Sequence, residues 1–429
     1  SMAFIRCWCV LFLAGALFGG SALGYPDEDD FFKKENEIQS LPDDTWFQIE
    51  DVDGDMTVPE LIEKYGYKVE VHSATTEDGY MLTLFRIMPR QPSQTQKLPV
   101  FVMHGLLGSS ADFVISGPNN SLAYYLADNG YEVWLGNARG TRYSRRHQDL
   151  PLHSEEFWDF SWHEIGYYDL PGMIDYVLNV TGSDKLQYIG HSQGTTTYFV
   201  MSSARPEYNQ KIALMTALSP AVVLKRIRSP ILRVLIDLSD TIKEVLDSLR
   251  VFEFLPYNDE NHKVMESLCP KNARDTVCEE LLGQLTGPHP ESYSPKLATA
   301  YMGHAPAGAS TRQLMHFVQI ARSGHFRQYD HGRKGNLHIY SNGKPPAYNL
   351  TASSAPVLIF YGRNDWMVHP KDVQEFYKML PRVVSANLVT DRKFNHLDFI
   401  LAKNARSDVY DKMRPVLEQY NTINSPPVV

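Results

Sequence analysis

The chain has 429 residues, enough for one large domain or two ordinary ones, and its 43% hydrophobic content suits a sizeable core. A formal net charge of −9 with no basic stripe argues against a nucleic-acid partner. Scattered histidines, with no H-E-x-x-H, P-loop or dinucleotide fingerprint, give no reason to expect a metal or a cofactor.

Residues 1–24 read as a secretory signal peptide. Arg6 is the positive flank, Cys7 to Phe18 the apolar run, and Ser21-Ala22-Leu23-Gly24 the small-residue cleavage site. The alternative, an uncleaved anchor, needs a longer apolar run. Residues 25–45 are acidic and irregular. Tyr67–Ser73 and Tyr80–Ile87 are predicted strands joined at Glu77-Asp78-Gly79. A strand over Pro99–Met103 leads into His104-Gly105-Leu106-Leu107-Gly108. A helix over Ser121–Asp128 is stopped by Gly130, and Tyr131–Leu135 is the next strand. Arg139 follows it, and a structural pairing with a carboxylate is expected there. The capping box Ser161-Trp162-His163-Glu164 opens a helix toward Val180. Strands over Leu186–Gly190 and Leu214–Leu218 follow. This alternation predicts an α/β fold, a mostly parallel sheet with helices on both faces.

The rhythm breaks near Val223 and resumes near Ala355. Leu235, Leu238, Ile242, Val245, Leu246 and Leu249 repeat at helical spacing within that stretch, and five prolines cut the remainder into short pieces. We read residues 25–222 and 351–429 as two parts of one core, and 223–350 as a mainly helical cap with a lid over the strand C-termini. Leu and Phe side chains from residues 230–285 are expected to line the entrance to the site. Outside the signal, the cysteines Cys269 and Cys278 remain. In an oxidising compartment they read as one disulfide, with two free thiols as the alternative. Sequons at Asn119, Asn179 and Asn349 fit the same compartment.

The chemistry centres on Gly190-His191-Ser192-Gln193-Gly194, directly after a strand and before helix-forming residues. That is the layout of a nucleophile elbow, a tight turn that holds a serine outward. Its partners must follow in the order acid, then histidine, each after a strand. Pro356–Tyr361 reads as a buried strand running into Gly362-Arg363-Asn364-Asp365, and Ala386–Thr390 as a strand followed by Phe394-Asn395-His396. Ser192, Asp365 and His396 are therefore the candidate triad. Asp398 is a rival acid, but it does not follow a strand end. The backbone N–H groups of Gln193 and Leu106 are the candidate oxyanion donors.

Taken together, His104-Gly105-Leu106-Leu107-Gly108-Ser109-Ser110, the run Gly130 to Gly140, Phe157-Trp158-Asp159-Phe160-Ser161, the elbow through Thr196, Pro306-Ala307-Gly308 and Asn395-His396-Leu397-Asp398-Phe399 resemble the acid lipases. These are the gastric, lingual and lysosomal lipases and their insect relatives, within the α/β-hydrolases. The similarity runs from about Thr57 to Tyr420. It implies an α/β-hydrolase fold with a mobile lid, the same triad and oxyanion donors, a disulfide at the spacing of Cys269 and Cys278, and neutral lipid or sterol ester substrates. Thr141 stands where many members carry Asn.

The resulting expectation is a secreted or lysosomal serine ester hydrolase acting on lipid esters at an oil–water or membrane interface, with no stable protein partner implied. Its alternatives are a small-ester carboxylesterase and an inactive lipid-binding protein on a hydrolase scaffold.

Overall fold

The computed structural model describes residues 51–91, 97–258, 261, 263–265, 277–290 and 292–421. The signal-peptide reading, the acidic stretch 25–45 and Cys269 lie outside the described residues.

Among the described residues the main sheet has nine strands. Eight lie along its path: β1 (Val69–Thr75), β2 (Tyr80–Ile87), β3 (Val100–Met103), β4 (Val133–Gly136), β5 (Leu186–His191), β6 (Ile212–Leu218), β7 (Val357–Tyr361) and β8 (Val383–Leu388); the ninth, the short Arg146–His147, pairs antiparallel with β2 off that path. Their spatial order is β1-β2-β4-β3-β5-β6-β7-β8. The pairs β1–β2 and β2–β4 are antiparallel. Every pairing from β4 across to β8 is parallel. The predicted strands sit within a few residues of these bounds.

Strands β3, β4, β5 and β7 are buried along their whole length, as expected of parallel strands covered on both faces. Pleating sends alternate residues to opposite faces. Val100, Val102, Ile189 and Phe360 join one core beneath the sheet. Phe101, Met103, Tyr188 and Ile359 join the other. The helices covering these faces include α1 (Val58–Lys64), α2 (Leu122–Asp128), α3 (Leu170–Thr181) and α4 (Gln193–Ala204).

The helix predicted from Ser161 toward Val180 forms but is not regular. Its capping box forms, with the Glu164 carboxylate accepting from Ser161 N at 2.6 Å, but Ile165–Asp169 is a π-helical turn before α3. Pro171 has no N–H to give the Tyr167 carbonyl four residues back, and its ring would crowd that oxygen. The wider turn resolves the conflict, and the Tyr167 carbonyl accepts from Arg205 instead, at 3.4 Å.

Between β6 and β7 the chain forms α5 (Pro230–Asp237), α6 (Ser239–Ser248), α7 (Val277–Thr286), α8 (Pro295–Met302), α9 (Thr311–Ser323) and α10 (Gly332–Tyr340). The apolar repeat over 235–249 is thus split at Leu238 into two helices. Residues Glu253–Phe254 and Ala309–Ser310 pair as a short antiparallel ribbon that no sequence pattern announced. After β7, α11 (Pro370–Tyr377) and α12 (Asp411–Gln419) complete the packing. No helix among the described residues is long and apolar enough to cross a membrane.

Candidate active site

Strand β5 ends at His191, Ser192 takes φ +51°, and α4 begins at Gln193. A non-glycine residue in that region is strained, and the turn survives because its neighbours over-determine it. Ser192 N donates to Leu218 O of β6 at 3.0 Å. A Cβ on Gly190 would lie 2.7 Å from Gly194 O, and one on Gly194 would lie 2.3 Å from Met103 O. Both positions therefore exclude any side chain.

Loops from β5, β7 and β8 converge at this turn. Ser192 Oγ is 2.8 Å from His396 Nε2, and His396 Nδ1 is 2.8 Å from Asp365 Oδ2. The other carboxylate oxygen, Asp365 Oδ1, accepts from Met367 N at 3.0 Å and Val368 N at 2.7 Å. All three side chains are buried, and Ser192 and His396 line an apolar cavity with Asp365 behind them. A base within hydrogen-bond reach of a hydroxyl, itself oriented by a carboxylate, is the arrangement nucleophilic acyl transfer needs. The rival Asp398 is occupied elsewhere. Its Oδ2 accepts from Asn395 N at 2.7 Å and lies 2.6 Å from His289 Nδ1.

The loop after β3 lies against the nucleophile, since a Cβ on Gly105 would be 3.2 Å from Ser192 Cβ. His104 shapes this loop. Its Nε2 accepts from Ala138 N at 3.1 Å, which places the proton on Nδ1, 2.8 Å from Gly105 O. Burial pulls His104 down to about 4, so the neutral tautomer that suits both contacts persists. Gln193 is the first residue of α4, so its N–H is one of the unsatisfied donors at a helix N-terminus. Its side chain is held from above by Gln313 of α9, whose Nε2 donates to Gln193 Oε1 at 3.2 Å. Leu106 lines the same cavity as Ser192 and His396.

Three side chains at the site were not anticipated. Ser219 places Oγ 2.5 Å from Asp365 Oδ2. His191 donates from Nε2 to the His396 carbonyl at 3.0 Å. Burial, with His396 beside it, lowers His191 to about 3. The third is Gln313. Its only signal in the sequence is the capping pattern Ser310-Thr311-Arg312-Gln313, which marks a helix start and not a site.

The cavity, about 560 Å³ counting the space at its mouth that is open to solvent, is walled by Leu232, Leu235 and Ile236 of α5 together with Leu314, Phe317 and Val318 of α9. The expectation of Leu and Phe from 230–285 thus holds for the leucines of α5. The aromatic wall comes from α9, which lies later in the chain and presents an apolar stripe to the same space.

Arg139 is buried and structural: Nε donates to Asp169 at 2.7 Å, and its terminal nitrogens grip both oxygens of Asp78 at 2.6 and 2.8 Å. Cys278 is disulfide-bonded. The sequon residues Asn119, Asn179 and Asn349 are exposed. Among the described residues, no cluster of three or more His, Cys, Asp or Glu side chains is placed to hold a metal ion.

A family model described as the alpha/beta hydrolase fold matches residues 99–403, and a second, the partial alpha/beta-hydrolase lipase region, matches 58–117. Lipase 1 of Drosophila melanogaster is 44% identical over 368 residues, covering 85% of this chain and 80% of its own. Lipase member K of Homo sapiens is 34% identical, covering 86% and 92%. Gastric triacylglycerol lipase of Mus musculus is 34% identical, covering 84% and 91%.

Proposed function

Because the chain belongs to the acid lipase family of the α/β-hydrolases, we propose that its ester hydrolysis runs through Ser192, His396 and Asp365 on neutral lipid esters such as triglycerides or cholesteryl esters. The observation that carries this reading is the hydrogen-bonded line from Asp365 through His396 to Ser192, whose last two members face an apolar cavity.

Ser192 Oγ attacks the ester carbonyl while His396 Nε2 takes its proton. Negative charge grows on the carbonyl oxygen and is met by the N–H groups of Leu106 and Gln193. His396 then protonates the leaving alcohol, and the acyl chain remains on Ser192. Water, deprotonated by the same nitrogen, releases the acid. Asp365 holds the tautomer with the proton on Nδ1 and stabilises the imidazolium.

Residues 223–350 act in this reading as a cap, with α5 and α6 as the movable cover. Leu238 and Leu249 on this cover are 47% and 57% exposed, an arrangement suited to a lipid surface. Ile242 and Leu246 of α6 belong to the apolar cluster against which Leu106 and Leu107 pack, so movement of the cover would be felt at the oxyanion loop. A secreted or lysosomal setting, a Cys269–Cys278 disulfide and glycans on the three exposed sequons complete the proposal.

Rates on a long-chain triglyceride, measured below and above its solubility limit, test it. A sharp rise once an oil phase forms is expected. Simple saturation with soluble short esters and no action on emulsions would instead indicate a small-ester carboxylesterase.

A further inference from the structure

Ser219 caps β6 at the point where the sheet meets the catalytic loops. It is fully buried and adopts φ +50°, a region where L-residues are strained and glycine is the default. A serine kept there implies that its side chain offsets the strain.

Its surroundings show how. Ser219 N donates to Phe360 O of β7 at 2.8 Å, and the preceding carbonyl, Leu218 O, holds Ser192 N. The peptide at this turn thus braces the nucleophile while the side chain points at the acid. Ser219 Oγ lies 2.5 Å from Asp365 Oδ2 and 3.0 Å from His396 Nδ1. In the catalytic tautomer Nδ1 carries a proton and cannot accept, so the hydroxyl proton goes to Oδ2. Asp365 Oδ1 is fixed by backbone N–H groups of its own loop, whereas Oδ2, the oxygen that faces His396, is fixed by Ser219 from another strand.

We infer that Ser219 is a positioning residue of the catalytic acid, its hydroxyl holding the Asp365 carboxylate in the plane that His396 Nδ1–H requires. This inference rests on the triad reading given above. A charge-assisted, buried hydrogen bond sets the rotation of the carboxylate, and the carboxylate sets the ring. Without it, Asp365 keeps its two Oδ1 contacts but turns more freely about its last bond, and fewer encounters find the imidazole aligned.

The test is made on the full chain with a soluble short ester. Ser219→Ala and Ser219→Gly should each lower kcat about tenfold, the scale of one net hydrogen bond to a charged group, with KM unchanged within about twofold. Labelling of Ser192 by an alkyl fluorophosphonate should slow by the same factor. Ser219→Gly relaxes the positive φ, so it separates a folding defect from a catalytic one. In an Asp365→Ala background, Ser219→Ala should cost less than about twofold, because its effect passes through the missing carboxylate. Wild-type kcat in a folded Ser219→Gly variant, a loss confined to KM, or an undiminished loss in the Asp365→Ala background would each overturn the inference. Failure of the triad reading is distinct: it would appear as retained activity in Ser192→Ala.

Discussion

The sheet beneath Ser192 and the helical insertion above it treat their apolar side chains differently. Beneath, β3, β5 and β7 bury every residue, and the turn at Ser192 leaves no room for a Cβ on either flanking glycine. Above, α5 has no fully buried residue, and its Leu232, Leu235 and Ile236 face the cavity. Close packing fixes catalytic atoms to within fractions of an ångström, which proton transfer demands. A greasy, half-exposed cover fixes little, which suits a part that must move. In the proposed reading, the two regions therefore separate the chemistry from the choice of substrate.

Substitutions in the lower region should abolish chemistry on every ester. Ser192→Ala is expected to reduce kcat/KM by roughly 10⁴-fold or more on short and long esters alike, with His396→Ala matching it because the two act as a unit. Circular dichroism should show both variants folded. Asp365→Asn should lose roughly 10³–10⁴-fold through a mis-set histidine tautomer, whereas Asp398→Asn, which touches His289 and the Asn395 backbone, should lose far less. The reverse ranking in parallel assays would reassign the acid.

A substitution in the upper region should divide substrates instead. Leu235→Asp puts a carboxylate on the cavity wall, and hydrolysis of a long-chain ester should fall about tenfold or more while a soluble acetate ester stays within about threefold. Equal losses on both would erase the distinction between the regions.

The smallest effect concerns pH. His191 is neutral in the folded protein, lowered to about 3 by burial and the neighbouring His396, while an unfolded histidine titrates near 6.5. Between these values the unfolded chain binds the extra proton, so the stability tied to His191 is complete above about 6.5 and is lost as pH falls toward 3. His191→Gln retains a donor toward the His396 carbonyl and removes the titration. Its urea midpoint should depend less steeply on pH between 6.5 and 4 than the parent's.

Much of this was legible beforehand for a definite reason. Gly190 and Gly194 are required by contacts within a few residues and one adjacent strand, so the pentapeptide carried its own geometry. Asp365 was separable from Asp398 because it alone follows a buried apolar run. Ser219 was hidden because a Ser-Pro after a strand resembles any other strand end. Its role depends on the register that sets Leu218 opposite Phe360, a long-range fact. The α9 wall was missed for the same reason, since periodicity shows that a helix has an apolar stripe but not which cavity receives it. The π turn before Pro171 was open to a local argument, the proline's missing N–H.

The position of His396 has one more consequence. It follows β8, the last strand in the sheet order, which is half-exposed and among the described residues pairs with β7 alone, whereas Ser192 follows interior β5. Edge elements open locally at lower free energy than interior ones. In the proposed triad reading, mild heat or dilute urea is expected to lower activity reversibly while circular dichroism still reports the folded sheet. Loss of activity is then expected to precede the loss of the sheet, and coincidence of the two transitions would refute it.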